Sequence, residues 1–233
     1  EDITLYQYWY ASGTIDAMVA ECEDYGTRVA FISTPSVYFS LDRKSDLFKM
    51  SHLFDYDRKF ASSASGYIFY DYHRPQDIPK ELHHTYDYVV IDAPSVRDDV
   101  LALYARAARL LLCDTQSATP TCLNLFGWLG ACRPAGHKRN NEHNSEGAVA
   151  KKKKKKKGRI LITSLAGKDH AKLMLNLFGV KPVTFLPTIP NLMYQYHIYV
   201  NYESERLSKV NPDQPAPDPK KTSKRSRLEN FGT

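Results

Sequence analysis

Long apolar runs are missing from this 233-residue chain, and cysteine and glycine are scarce. No stretch approaches the roughly 20 apolar residues that cross a bilayer, so no membrane-spanning helix is expected. Cysteine occurs only four times, as Cys22, Cys113, Cys122 and Cys132, without a CxxC pair and without histidine partners at zinc spacing. That pattern points to free thiols in a reducing compartment rather than to disulfides or a metal site. No signal peptide is visible, and the opening on Glu1 rather than Met leaves room for a short preceding segment. A cytoplasmic location is the expectation.

A basic surplus on the body is lacking too. The formal net charge is +6, but residues 151–157 are seven consecutive lysines, and without them 25 basic residues face 26 acidic ones. From Ser208 onward there are six basic and three acidic residues, which leaves 19 basic against 23 acidic in the body, a net of −4. Duplex binding needs a basic footprint on a folded face, with several phosphates neutralised. The positive charge sits instead on segments whose composition predicts disorder.

What is present is a pattern of short apolar runs alternating with helical periodicity, in a chain that is 42% hydrophobic and long enough for one core. It predicts an α/β fold of βα units around a mostly parallel, seven-stranded sheet. An aromatic lead and a helix occupy Tyr6 to Tyr25, with Ile15, Met18 and Val19 on one stripe. Strands are expected at Val29 to Ile32, Ser51 to Asp57, Tyr67 to Tyr70, Tyr88 to Ile91 and Arg159 to Thr163. Pro35 can open the helix after the first strand. Further helices are expected from about Arg97 to Leu112, and from Lys168 to Phe178 with Gly179 closing it. Two final strands, Val183 to Leu186 and Tyr196 to Tyr202, have no helix between them and should pair antiparallel. The expected domain is 1–207, carrying an insertion at about 113–157, with a basic disordered tail at 208–233.

Asp92-Ala93-Pro94-Ser95 follows the fourth strand, at the carboxyl edge where open α/β sheets bind ligands. The tetrad resembles the Asp-Pro-Pro-aromatic motif of one class of methyltransferases, with Ala93 and Ser95 as departures. Other blocks extend the likeness: Gln7-Tyr8-Trp9-Tyr10, Pro35-Ser36-Val37-Tyr38, Phe54-Asp55-Tyr56-Asp57-Arg58-Lys59-Phe60 and Ile68-Phe69-Tyr70-Asp71-Tyr72. Leu177-Phe178-Gly179-Val180-Lys181 and Tyr199-Val200-Asn201-Tyr202 complete the set. In this order the chain resembles the eukaryotic elongation factor 1-alpha lysine methyltransferase family, earlier described as adenine-specific methyltransferases. The blocks cover most of residues 6–112 and 158–202. The insertion separates two elements that the family joins directly.

The resemblance implies a Rossmann-like class I methyltransferase fold, S-adenosylmethionine as methyl donor and elongation factor 1-alpha as protein substrate. The turn after the first strand, Ser33-Thr34-Pro35-Ser36, has no glycine, an oddity the family shares. Its small hydroxyl side chains leave room for the cofactor, and the helix after Pro35 offers N–H donors to the methionine carboxylate. Otherwise Ser33 or Thr34 is an ordinary N-cap. A carboxylate ending the second strand should take the ribose hydroxyls, Asp57 first and Asp55 second; two apart on a strand, they would face the same way. Asp71 could take the adenine amine, or simply form a turn before Tyr72.

Asp92 would meet the target nitrogen, with the Ala93 carbonyl accepting a second hydrogen; its alternative role is a helix cap before Pro94. Ser95 removes an aromatic wall worth roughly 1–3 kcal/mol to a stacked base. A lysine stem loses less, about 0.5–2 kcal/mol if the contact was cation–π. Tyr8 or Trp9 can line the pocket instead, with Trp9 on the cofactor side, or serve as core or helix-staple aromatics. Two other functions stay open: a non-catalytic scaffold that kept the fold, and an adenine methyltransferase acting on nucleic acid. The lysine run Lys151 to Lys157 is a solvated expansion, or else a weak contact for RNA or ribosomes.

Overall fold

Four consecutive apolar residues with no polar partner in the pattern must be covered on both faces, and β1 (Val29–Ile32) is: all four are buried. The computed structural model describes residues 9–113, 158–190, 192 and 194–214. Within them β1 pairs in parallel with β2 (His52–Asp55) on one side and β4 (Tyr88–Asp92) on the other. β3 (Tyr67–Phe69) extends the sheet beyond β2, and β5 (Arg159–Leu165) lies parallel to β4. β7 (Tyr196–Val200) runs antiparallel to both β5 and the two-residue β6 (Lys181–Pro182). The order of the seven strands is β3-β2-β1-β4-β5-β7-β6. It reverses direction between β1 and β4, the switch point where such sheets open a crevice at their carboxyl ends.

Side chains alternate across the sheet and divide the core in two. Ala30, Ile32, Val89, Ile91, Ile160 and Ile162 face one layer, formed by α4 (Asp98–Leu111) and α5 (Lys168–Phe178). Val29, Phe31, Tyr88, Val90 and Leu161 face the other, formed by α1 (Ser12–Tyr25), α2 (Pro35–Ser40) and α3 (Asp46–Met50). α4 presents Val100, Leu101, Tyr104, Ala105, Ala107, Ala108 and Leu111 to the sheet, a helical spacing that leaves its charged residues outside. α5 stops at Gly179, which takes the left-handed conformation (φ 69°). Among the described residues no helix is long and apolar enough to cross a membrane.

Several expected boundaries move. β2 ends at Asp55, so Asp57 is outside the strand and starts the short helical turn Arg58–Ser62; the same-face reading of Asp55 and Asp57 does not apply. The sixth strand sits at Lys181–Pro182 rather than at Val183 to Leu186. After one further bond from the Val183 amide to the Ile198 carbonyl, the chain leaves β7 and the Phe185 amide turns to the Leu207 carbonyl. Residues 208–214, read from composition as disordered tail, are tied down: Asn211 is buried and its Nδ2 donates to the Leu186 carbonyl at 2.8 Å. By packing the chain divides into two units, residues 1–113 with 158–233, and residues 114–157. The second unit, the lysine run, residues 1–8 and residues 215–233 lie outside the described residues.

Candidate functional site

Phe54, Ile32, Ile91 and Ile162 stand in one register row across β2, β1, β4 and β5. The next residue of each strand is polar: Asp55, Ser33, Asp92 and Thr163. Four apolar strands therefore change to carboxylates and hydroxyls at the same level, at the carboxyl edge, on both sides of the switch point.

Asp92 ends β4 and is partly buried. Its Oδ1 accepts a hydrogen bond from the Thr163 hydroxyl at 2.9 Å, and the Tyr10 hydroxyl lies 2.6 Å from the same Thr163 oxygen. Burial pushes the Asp92 carboxyl up to about 6, against hydrogen bonds from Tyr10 and Thr163 that favour the anion. Helix α4 begins only at Asp98, with Arg97 in the cap position, so Asp92 does not cap it. Ser95 shapes that turn instead, its Oγ accepting from the Arg97 amide at 3.4 Å. Ala93 is buried, and Pro94 is half-buried.

Asp55 is buried at the end of β2. Burial raises its carboxyl to about 6, and the charge of Asp57 adds to the rise; the Asp57 amide, donating to Asp55 Oδ1 at 2.9 Å, and the Tyr56 amide pull the other way. Asp57, the first choice from sequence, uses its own Oδ1 to accept from the Lys59 amide at 3.0 Å. Of the two, Asp55 stands in the polar row and Asp57 caps the following turn.

Ser33 occupies the left-handed region (φ 55°), the conformation that a glycine usually supplies at this turn. Its hydroxyl is 2.8 Å from the Tyr104 hydroxyl, which reaches over from α4. Thr34 is in the cap position of α2 but makes no side-chain cap; its hydroxyl bonds the Val90 carbonyl at 3.3 Å. Pro35 and Ser36 form the first turn of this six-residue helix. Its first intrahelical bond runs from the Tyr38 amide to the Thr34 carbonyl at 3.2 Å. Asp71 makes the turn that was its alternative role: Oδ1 accepts from the His73 amide at 2.9 Å and sits 3.1 Å from His73 Nδ1. Trp9 is 37% exposed at the start of the described chain.

Four residues of this neighbourhood escaped the sequence reading. Tyr104 looks like one more core aromatic on α4, yet burial and the charges of Tyr70, Asp55 and Asp92 together raise its hydroxyl. Its hydroxyl meets Ser33, which stands between Asp55 and Asp92 in the polar row. Thr163 meets Asp92 through the pairing of β4 with β5, and Tyr10 reaches Thr163 from the segment ahead of α1. Tyr70, just past β3, has a buried hydroxyl with no hydrogen-bond partner among the described residues.

The sequence model of the family described as "Probable N6-adenine methyltransferase" matches residues 1–204. The chain belongs to this family. It is also 26% identical over 211 residues to human EEF1A lysine methyltransferase 1, covering 88% of this chain and 76% of the relative. The zebrafish protein of that name is 27% identical over 212 residues, 87% of this chain and 99% of its own length. Yeast protein-lysine N-methyltransferase EFM5 is 30% identical over 126 residues, 51% of each chain. Coverage of the relatives therefore varies: the chain spans nearly all of the zebrafish protein, but about half the length of the yeast one and 64% of the mouse EEF1A lysine methyltransferase 1.

Proposed function

We propose that this chain is an S-adenosylmethionine-dependent protein-lysine N-methyltransferase acting on elongation factor 1-alpha. The observation that carries the reading is the polar row Asp55–Ser33–Asp92–Thr163 at the carboxyl edge, in a chain whose relatives bear that name. Such a substrate implies a cytoplasmic site of action.

The residues present fit the methyl donor. Asp55 is a buried carboxylate in the polar row, suited to accept from a pair of ribose hydroxyls, and Asp57 and Asp71 are weaker candidates because they lie past the ends of β2 and β3, outside that row. The left-handed Ser33 lets the backbone turn tightly where a ligand must approach, and Thr34, Pro35 and Ser36 carry it into α2. The unpartnered Tyr70 hydroxyl is an orphan that a bound polar group can satisfy. Bound there, S-adenosylmethionine supplies a methyl group on a positively charged sulfur.

Asp92 and the Ala93 carbonyl accept hydrogens from the substrate nitrogen and aim its lone pair. Positioning of this kind supplies much of the rate, because the attack must be in line. A lysine side chain with pKa about 10.4 must first release a proton, costing roughly 4–5 kcal/mol at neutral pH. Asp92 attracts the ammonium form and so assists binding. With the donor held beside Asp55, Asp92 and the Ala93 carbonyl would keep that lone pair in line with the methyl group it supplies. A carbonyl, rather than a proline ring, is the acceptor needed at position 93, so Ala93 can serve. Ser95 offers no face for a stacked base, which favours lysine over adenine.

The altered motif also supports a second reading, a scaffold that binds the cofactor without transferring methyl groups. Purified elongation factor 1-alpha incubated with tritiated S-adenosylmethionine separates the two. Methyl transfer by wild type, reduced at least about 100-fold by Asp92→Ala, is expected for the enzyme. No transfer to protein by wild type contradicts it, and label in nucleic acid alone would point to an adenine substrate.

A further inference from the structure

Asp92 does not stand alone at its strand end. Thr163 is buried on β5, directly opposite Asp92 in register, and its hydroxyl has a single proton to give. The Asp92 Oδ1 atom, at 2.9 Å, is a better acceptor for it than the Ile91 carbonyl at 3.4 Å. Tyr10 is buried just before α1, and its hydroxyl, 2.6 Å from Thr163 Oγ1, donates to that oxygen when Thr163 gives its own proton to Asp92. The Tyr10 backbone is fixed in turn, because the next amide, Ala11, donates to the Thr188 carbonyl at 2.8 Å. Three separate segments therefore converge on one carboxylate.

We propose that Thr163 is a positioning residue for Asp92 and Tyr10 a second one acting through Thr163, so that one carboxylate oxygen is held and the other is presented to the substrate amine. The inference rests on the methyltransferase reading for its consequence in catalysis, though not for its geometry. A carboxylate free to rotate offers either oxygen in many directions. One that is hydrogen-bonded through Oδ1 offers Oδ2 in one direction, which leaves the second hydrogen of the amine to the Ala93 carbonyl. The Thr163 donor, polarised by Tyr10 behind it, favours the charged carboxylate and works against the burial that discourages it. The titratable groups around this centre are Tyr10 ahead of α1, Tyr196 on β7 and Tyr104 on α4, with Asp55 on β2 acting through Tyr104.

The test is a carbon-13 NMR titration of the Asp92 carboxyl in the full chain, assigned by its disappearance in Asp92→Asn. Wild type should titrate near 6. Thr163→Val and Tyr10→Phe should each titrate about one pH unit higher, while Thr163→Ser, which keeps the hydroxyl, stays within a few tenths of wild type. In methyl transfer to elongation factor 1-alpha, Thr163→Val should lower kcat more than it raises KM, and the acid limb of its pH profile should move up by the same interval. Unchanged carboxyl titration in both Thr163→Val and Tyr10→Phe would overturn the inference. A wild type that transfers no methyl group, but whose carboxyl responds as expected, would remove the lysine methyltransferase reading and leave the positioning intact.

Discussion

Asp55 and Asp92 are both raised to about 6 by burial, and a folded protein holding such groups is sensitive to pH in a definite direction. The ordinary value is 3.8, so the folded chain keeps each proton more tightly than the unfolded chain does. Asp55 thus favours folding below 3.8, and that contribution is lost as pH rises through about 6. Asp55→Asn cannot ionise. It should be more stable than wild type at pH 7.5, by at most about 3 kcal/mol, with the difference closing toward pH 4. Urea unfolding at the two pH values measures it, and equal stability at pH 7.5 would mean that Asp55 is better solvated than its burial suggests. A group kept at a cost to folding suits a ligand site, because binding can repay that cost.

Among the elements, those with a strong internal pattern were legible from sequence and those set by pairing were not. α4 and α5 fall within a residue of expectation, since apolar spacing and Gly179 mark them locally. Gly179→Ala should cost about 1 kcal/mol, because only glycine takes φ 69° without a penalty; thermal unfolding against wild type would show it, and no change would mean that α5 ends differently. The carboxyl end of β4 was legible because an apolar run stops at an acidic residue. β2 was overextended to Asp57, because Tyr56-Asp57 continues an alternating pattern that β3 does not pair with. The sixth strand was misplaced for the opposite reason: Val183 to Leu186 is apolar enough for a strand, but its partners come from two different segments. Tyr10, Thr163 and Tyr104 were invisible as site residues because each reaches the centre through register or helix docking. No spacing along the chain encodes those contacts.

Across the whole molecule the two edges of the sheet treat buried carboxylates differently. At the amino edge Glu21 is buried but accepts from the Tyr202 hydroxyl at 2.9 Å, the Ser204 hydroxyl at 2.7 Å and Arg206 at 2.8 Å. Arg206 also pairs with Asp24, and Lys209 with Glu205, so the cleft these residues line is occupied by its own ion pairs. Such a carboxylate holds the C-terminal segment against α1 and has little capacity left for a ligand. At the carboxyl edge Asp55 and Asp92 receive, among the described residues, only amide and hydroxyl donors, and they sit on either side of Ser33. The proposed function puts the methyl donor on the β2 side of Ser33 and the acceptor amine on the β4 side. Calorimetric titration of S-adenosylmethionine into wild type, Asp55→Asn and Asp92→Asn tests that division most directly. Wild type should bind, Asp55→Asn should bind at least about tenfold more weakly, as expected for loss of a charged hydrogen-bond acceptor, and Asp92→Asn should bind within about threefold of wild type. No heat with wild type, or equal affinity in wild type and Asp55→Asn, would contradict it.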